Sequence, residues 1–264
     1  MDNTISRNIN SLHQIRVEDD SLAQYNQVRT DAEGRNAANY YDKQVHSLCK
    51  GYELDEALNY YYESLVVGVN MLGENHPDVA ASYNNIGEVY RGKGELDKAL
   101  EYHNKSLTIR LNTLGENHPD VADSYNNIGT VYDRKGELDK ALEYHNKSLN
   151  IGLDTLGENH PDVAVSYNNI GNVLRGKGEL GKALEYFNKS LIIRLNTFGE
   201  NHPHTADTLY NMGLVYKSQM KLNIASEYLN RALVTYCNKL GVGHKTVRKT
   251  RMSIQSIKYH KCFI

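Results

Sequence analysis

One segment of 42 residues, written four times in succession, constrains this chain more than anything else in it. Leu72 opens the segment as LGENHPDVAASYNNIGEVYRGKGELDKALEYHNKSLTIRLNT. Leu114 and Leu156 reopen it almost verbatim, and Phe198 reopens it with more drift. All four prolines, Pro77, Pro119, Pro161 and Pro203, fall on the period. Self-similarity at a period of roughly 20–50 residues means stacked units, each burying its apolar face on its neighbours. Such a chain presents a long surface and is poorly suited to the single constellation that catalysis needs.

Within the copy at Leu72, Asn75 and His76 precede Pro77, and Asp78 follows. Proline suits the first helical turn, where its missing N–H costs nothing, and Asn is a good cap. Asp78 adds negative charge at the positive end of the helix dipole. A helix is therefore predicted from Pro77. Val79, Ala80, Tyr83, Ile86, Gly87 and Tyr90 follow helical spacing as its buried stripe, and Gly92-Lys93-Gly94 ends it. A second helix is predicted from Glu95 to about Thr113. Leu96, Ala99, Leu100, His103, Ser106 and Leu107 turn inward, and Gly115 closes it in a left-handed conformation. Gly87 and Ala99, small residues on the two stripes, would let the helices approach closely. His76, His118, His160 and His202 recur as turn and cap residues. His103 and His145 fall on packed faces and require a hydrogen-bond partner there.

These residues resemble the tetratricopeptide repeat: Tyr83, Ile86, Gly87 and Tyr90 in one helix, Ala99 and Ser106 in the next. The LGENHPDVA connector and the longer period, against about 34 residues in the usual repeat, resemble the kinesin light chain subtype. The resemblance implies an all-α, right-handed superhelical solenoid of stacked hairpins. Five hairpins are expected at about 38–71, 77–113, 119–155, 161–197 and 203–239. Residues 1–36 form a polar N-terminal segment, disordered or a frayed helix, and residues 240–264 a basic capping helix and tail. The first hairpin lacks the LGENHP lead-in and has Val45 where the others have glycine.

Composition narrows the function classes. A net charge of −2 over 264 residues gives no support to nucleic-acid or membrane-surface binding. No apolar run is long enough to cross a membrane. Cys49, Cys237 and Cys262 are too few and too separated for a disulfide framework or metal cluster, which fits a reducing, cytoplasmic setting. The recurring histidines stand too far apart to share an ion. RGKGEL links two helices without a preceding strand, so it is not a phosphate loop. The expectation is a chain with no catalytic residues, cofactor or metal. Its partner would be a protein or peptide, neither nucleic acid nor membrane.

The copies at Leu72 and Leu114 differ at seven places: Ala81/Asp123, Glu88/Thr130, Arg91/Asp133, Gly92/Arg134, Thr108/Asn150, Arg110/Gly152 and Asn112/Asp154. Ala81, Asn84, Glu88 and Arg91 share one stripe that is not the buried one. The resemblance places first helices on the concave face, which makes this stripe a groove. Its rows read Ala81, Asp123, Val165, Asp207; Asn84, Asn126, Asn168, Tyr210; Glu88, Thr130, Asn172, Leu214; and Arg91, Asp133, Arg175, Lys217. The resemblance further implies that Asn84, Asn126 and Asn168 hold the backbone of an extended peptide, and Asn172 is expected to join them. Asn85, Asn127, Asn169 and Asn211 would bond adjacent helices instead. Arg91, Arg134, Arg175 and Lys217 would select acidic side chains, and Asp123, Asp133 and Asp207 would repel them or select basic ones. The function expected is an interaction scaffold or adaptor, with a kinesin light chain-like cargo adaptor and a peptide-sensing regulator as alternatives. Residues 1–36 show no sustained heptads of the kind that join a light chain to its motor. The basic C-terminal run, Lys239, Lys245, Arg248, Lys249, Arg251, Lys258 and Lys261, is either a solvated cap or a surface for acidic ligands.

Overall fold

The computed structural model describes residues 54–262. The expected first helix of the first hairpin, with Val45 and Cys49, lies outside them. The described residues form ten helices: α1 (Leu54–Leu72), α2 (Pro77–Lys93), α3 (Leu96–Leu114), α4 (Pro119–Lys135), α5 (Leu138–Leu156), α6 (Pro161–Gly176), α7 (Leu180–Phe198), α8 (Pro203–Ser218), α9 (Leu222–Leu240) and α10 (Lys245–Cys262). Consecutive helices pack on one another along the whole series, which makes an α-solenoid. There is no strand among the described residues.

The helix starts at Pro77, Pro119, Pro161 and Pro203 are those the spacing predicts, each with proline in the first turn. The cap is not Asn75 but His76, whose Nδ1 accepts from the Asp78 N–H at 3.2 Å. His118, His160 and His202 repeat the bond. His244 makes the same bond ahead of α10, where Lys245 replaces the proline. Gly94 and Gly136 end α2 and α4 in the left-handed region. Gly115 has a positive φ of 84° but an extended ψ of 166°, so it turns the chain without the expected left-handed cap.

Val79, Ala80, Ile86, Gly87 and Tyr90 are buried on α2, whereas Tyr83 is only half-buried. The α3 face buries Ala99, His103, Ser106 and Leu107, together with Tyr102 and Ile109, which lie off the predicted stripe. Tyr102 stacks on Tyr90 with ring centroids 5.4 Å apart and receives an edge from Tyr62. At Gly87 the nearest neighbour across the hairpin is His103. A Cβ on Gly87 would stand 2.8 Å from His103 Cε1. Gly129 meets His145, Gly171 meets Phe187 and Gly213 meets Leu229 in the same way.

Joints between hairpins alternate in chemistry. Gly68 and Gly152 pack against Val79 and Val163 of the next helix. At the equivalent places Arg110 donates from Nη1 to the Asp120 carbonyl at 2.8 Å and to Ser124 Oγ at 2.9 Å. Arg194 likewise donates to the His204 carbonyl and, at 2.9 Å, to Thr208 Oγ1. Asp120 and Asp123 supply counter-charge to Arg110, and Asp207 to Arg194.

Candidate groove site

The candidate site is the largely half-buried stripe of α2, α4, α6 and α8 that carries the four rows. Its asparagine rows do not act separately. Asn127 Nδ2 donates to Asn84 Oδ1 at 2.9 Å, Asn169 Nδ2 to Asn126 Oδ1 at 2.8 Å, and Asn211 Nδ2 to Asn168 Oδ1 at 3.2 Å. Each bond ties one hairpin to the next. The second asparagine row thus has the structural role the sequence suggests at Asn127, Asn169 and Asn211. The first row contributes its oxygens to the same clamp.

The core histidines complete this arrangement. His103 Nδ1 lies 3.2 Å from Asn84 Oδ1, and His145 Nδ1 lies 3.1 Å from Asn126 Oδ1. Because the amide oxygen can only accept, Nδ1 carries the proton in both rings. Each oxygen therefore receives two donors, and what Asn84 and Asn126 have left for a ligand is the Nδ2 amide. Asn168 is 8% exposed, so only an edge of it reaches the groove. Tyr210, which takes the place of the fourth asparagine, is buried with Lys249 Nζ 5.6 Å from its ring centre.

Charges differ along the stripe. Arg91 holds Glu88 through two hydrogen bonds, the one from Nε being 3.0 Å long. His103 Nε2 stands 3.5 Å from the same carboxylate. Burial would raise the Glu88 carboxyl, but His103 and Arg91 beside it pull it down to about 2. Arg134 Nη1 donates to the Arg91 carbonyl at 2.8 Å, and Lys217 Nζ to Ser256 Oγ of α10 at 2.6 Å. Tyr236 donates its hydroxyl to Asp207 Oδ1 at 2.6 Å. Thr130 turns back to the Asn126 carbonyl at 2.9 Å. Among the described residues, the side chains of Arg175, Asn172, Asp123 and Asp133 have no hydrogen-bond partner and no ion pair. Burial pushes the Asp133 carboxyl upward.

Sequence reasoning overlooked Arg110 and Arg194 as joint residues, although the exchange of Arg110 for Gly152 is one of the differences between copies. It also overlooked Tyr236, which stands where the previous hairpins have Arg194, Gly152 and Arg110. Among the described residues, no helix is long and apolar enough to cross a membrane, and no three His, Cys, Asp or Glu side chains converge on a metal-sized site.

Solved structures share this architecture. A variant of a Podosopora anserina protein, titled for its nearly identical TPR-like repeats and kinesin light chain likeness, superposes with a TM-score of 0.63 at 18% identity, over 80% of this chain and 99% of that one. BtubC (BKLC) from P. vanneervenii gives 0.59 at 21% identity over 82% of each chain. The apo form of RapI gives 0.60 at 18% identity over 83% of this chain and 59% of that one. At these identities the likeness is one of fold. No curated protein matches the sequence. The model of the tetratricopeptide repeat family matches residues 37–112, 78–154, 134–194 and 162–237. A periodic sequence, a hairpin solenoid and this overlapping match lead to one conclusion: the chain belongs to the tetratricopeptide repeat family.

Proposed function

We propose that this chain is a non-catalytic interaction scaffold that binds an extended segment of a protein partner along the stripe of α2, α4, α6 and α8. The observation that carries this reading is the state of the asparagine row. Asn84 and Asn126 have their oxygens fixed by two donors each, which sets the direction of their Nδ2 groups. A row of oriented donors repeating once per hairpin can take the carbonyls of an extended backbone whatever its side chains.

Replacing Asn84 and Asn126 by Asp tests it. Aspartate keeps an oxygen for Asn127, Asn169 and the two histidines but removes the free donors. A displayed library of random peptides, selected on the full chain, should yield a pool that the Asn84→Asp/Asn126→Asp variant does not retain. A pool retained equally by both proteins would refute groove binding.

A second reading, a peptide-sensing regulator, draws on the same side chains. Any ligand bonded to Nδ2 pulls on the residue that ties one hairpin to the next, so binding would change the pitch of the solenoid. Small-angle scattering with and without a selected peptide separates it from a static scaffold.

A further inference from the structure

The four cations on the stripe differ in what they already hold. Arg91 is bound by Glu88 three residues before it, Arg134 by a carbonyl and Lys217 by Ser256. Arg175 has Asn172 three residues before it, where Arg91 has Glu88. That exchange leaves its guanidinium with no anion in bonding contact among the described residues and its Nε buried without a hydrogen-bond partner. Asn172, one turn away, is half-buried with both its amide nitrogen and its oxygen free.

The neighbouring helix has the opposite excess. On the α4 stripe Asp133 is half-buried and its carboxylate is bonded to no described residue, whereas Asp123, ten residues before it, is exposed and has Arg110 as counter-charge. Asp207, the equivalent of Asp123 two hairpins on, is closed off by Tyr236, whereas the hairpin of Asp123 has Gly152 at that place. Arg175 is near enough to Asp133 to favour its ionised form, yet the two do not meet. Charges that are partly removed from water without a partner are costly, and a ligand that brings counter-charges recovers that cost.

We infer that the α4–α6 centre of the groove selects a segment with a basic side chain against Asp133 and an acidic one, three residues away, against Arg175 and Asn172. The inference rests on the groove reading above. The spacing comes from geometry: neighbouring helices stand about 10 Å apart, and an extended strand covers roughly that distance in three residues at about 3.3 Å each. With base and acid in place, ligand and protein charges alternate around Asp133 and Arg175. Arg91 adds little selectivity because the Glu88 carboxylate already engages its charge.

The experiment is to sequence the peptide pool selected on the full chain from a displayed library of random peptides about 12 residues long. Lys or Arg separated by three positions from Asp or Glu should be enriched in it. A synthetic member of that pool should bind Arg175→Glu about tenfold more weakly than wild type, with Arg175→Gln between them. Its partner with the acid changed to Lys should prefer Arg175→Glu. Matching circular dichroism for the three proteins excludes misfolding. A pool that loses binding in Asn84→Asp/Asn126→Asp but shows no such charge pair overturns this inference and leaves groove binding standing. No enriched pool, or a pool indifferent to the asparagines, overturns both.

Discussion

Gly129 and His145 share one space: a Cβ on the glycine would lie 2.9 Å from Cε1 of the imidazole. His145 cannot retreat, because its Nδ1 is held by Asn126 and it is buried. Gly129→Ala should therefore cost about 1–3 kcal/mol, the usual range for overpacking. Urea unfolding measures it. The double variant Gly129→Ala/His145→Ala should lose clearly less than the sum of the two single changes.

His145 also sets a pH dependence. Burial pushes its imidazole from 6.5 down to about 4. Between those values the unfolded chain binds a proton that the folded chain does not. Stability is therefore complete above pH 6.5 and is lost as pH falls toward 4, by roughly 3 kcal/mol. His145→Phe, which copies Phe187 of the next hairpin, should flatten the urea midpoint over that window. An unchanged slope would show that the imidazole titrates normally in the fold.

Met220 has a φ of 61°, where Gly94, Gly136 and Gly178 have 80°, 77° and 80°. A side chain there strains the backbone, and Met220 is 58% exposed, so its removal leaves no cavity. Met220→Gly should stabilise the chain by about 1 kcal/mol, less the extra freedom glycine gives the unfolded state. Thermal unfolding reads the sign directly.

The asparagine clamp predicts coupling over long sequence distance. Asn127→Ala should lose about 1 kcal/mol, the net worth of one hydrogen bond. Combined with Asn84→Ala, the loss should be less than additive, since both changes break one bond. Asn84→Asp should be tolerated better than Asn84→Ala, because it retains an acceptor for Asn127 and His103. Urea midpoints of the four proteins measure these differences.

Much of this was legible in the sequence because it is local. Pro77 fixes a helix start, the Val79–Tyr90 stripe fixes its buried face, and the period fixes the stacking. What was not legible depends on offsets between elements. The stripe of one helix does not say that Gly87 comes closest to His103, since that requires knowing how far two antiparallel helices slide. The recurrence of His76 reads as a cap, but that its Nδ1 accepts from the N–H two residues on appears only in the folded turn. Asn84 and Asn85 read as two rows; that the oxygen of Asn84 accepts from Asn127 appears only when hairpins are stacked.

Arg110 and Arg194 have a consequence for how this array can change length. Loss of the 42 residues from Leu114 to Thr155 would bring Arg110 to Asp162 and Ser166, in the places of Asp120 and Ser124, with Val165 replacing Asp123. Loss of 84 residues, from Leu114 to Thr197, would bring it to Asp207 and Thr208, the partners Arg194 already uses. Either loss therefore leaves Arg110 a backbone carbonyl, a hydroxyl and one carboxylate. The array can change length by one hairpin or by two without orphaning the arginine at its joint.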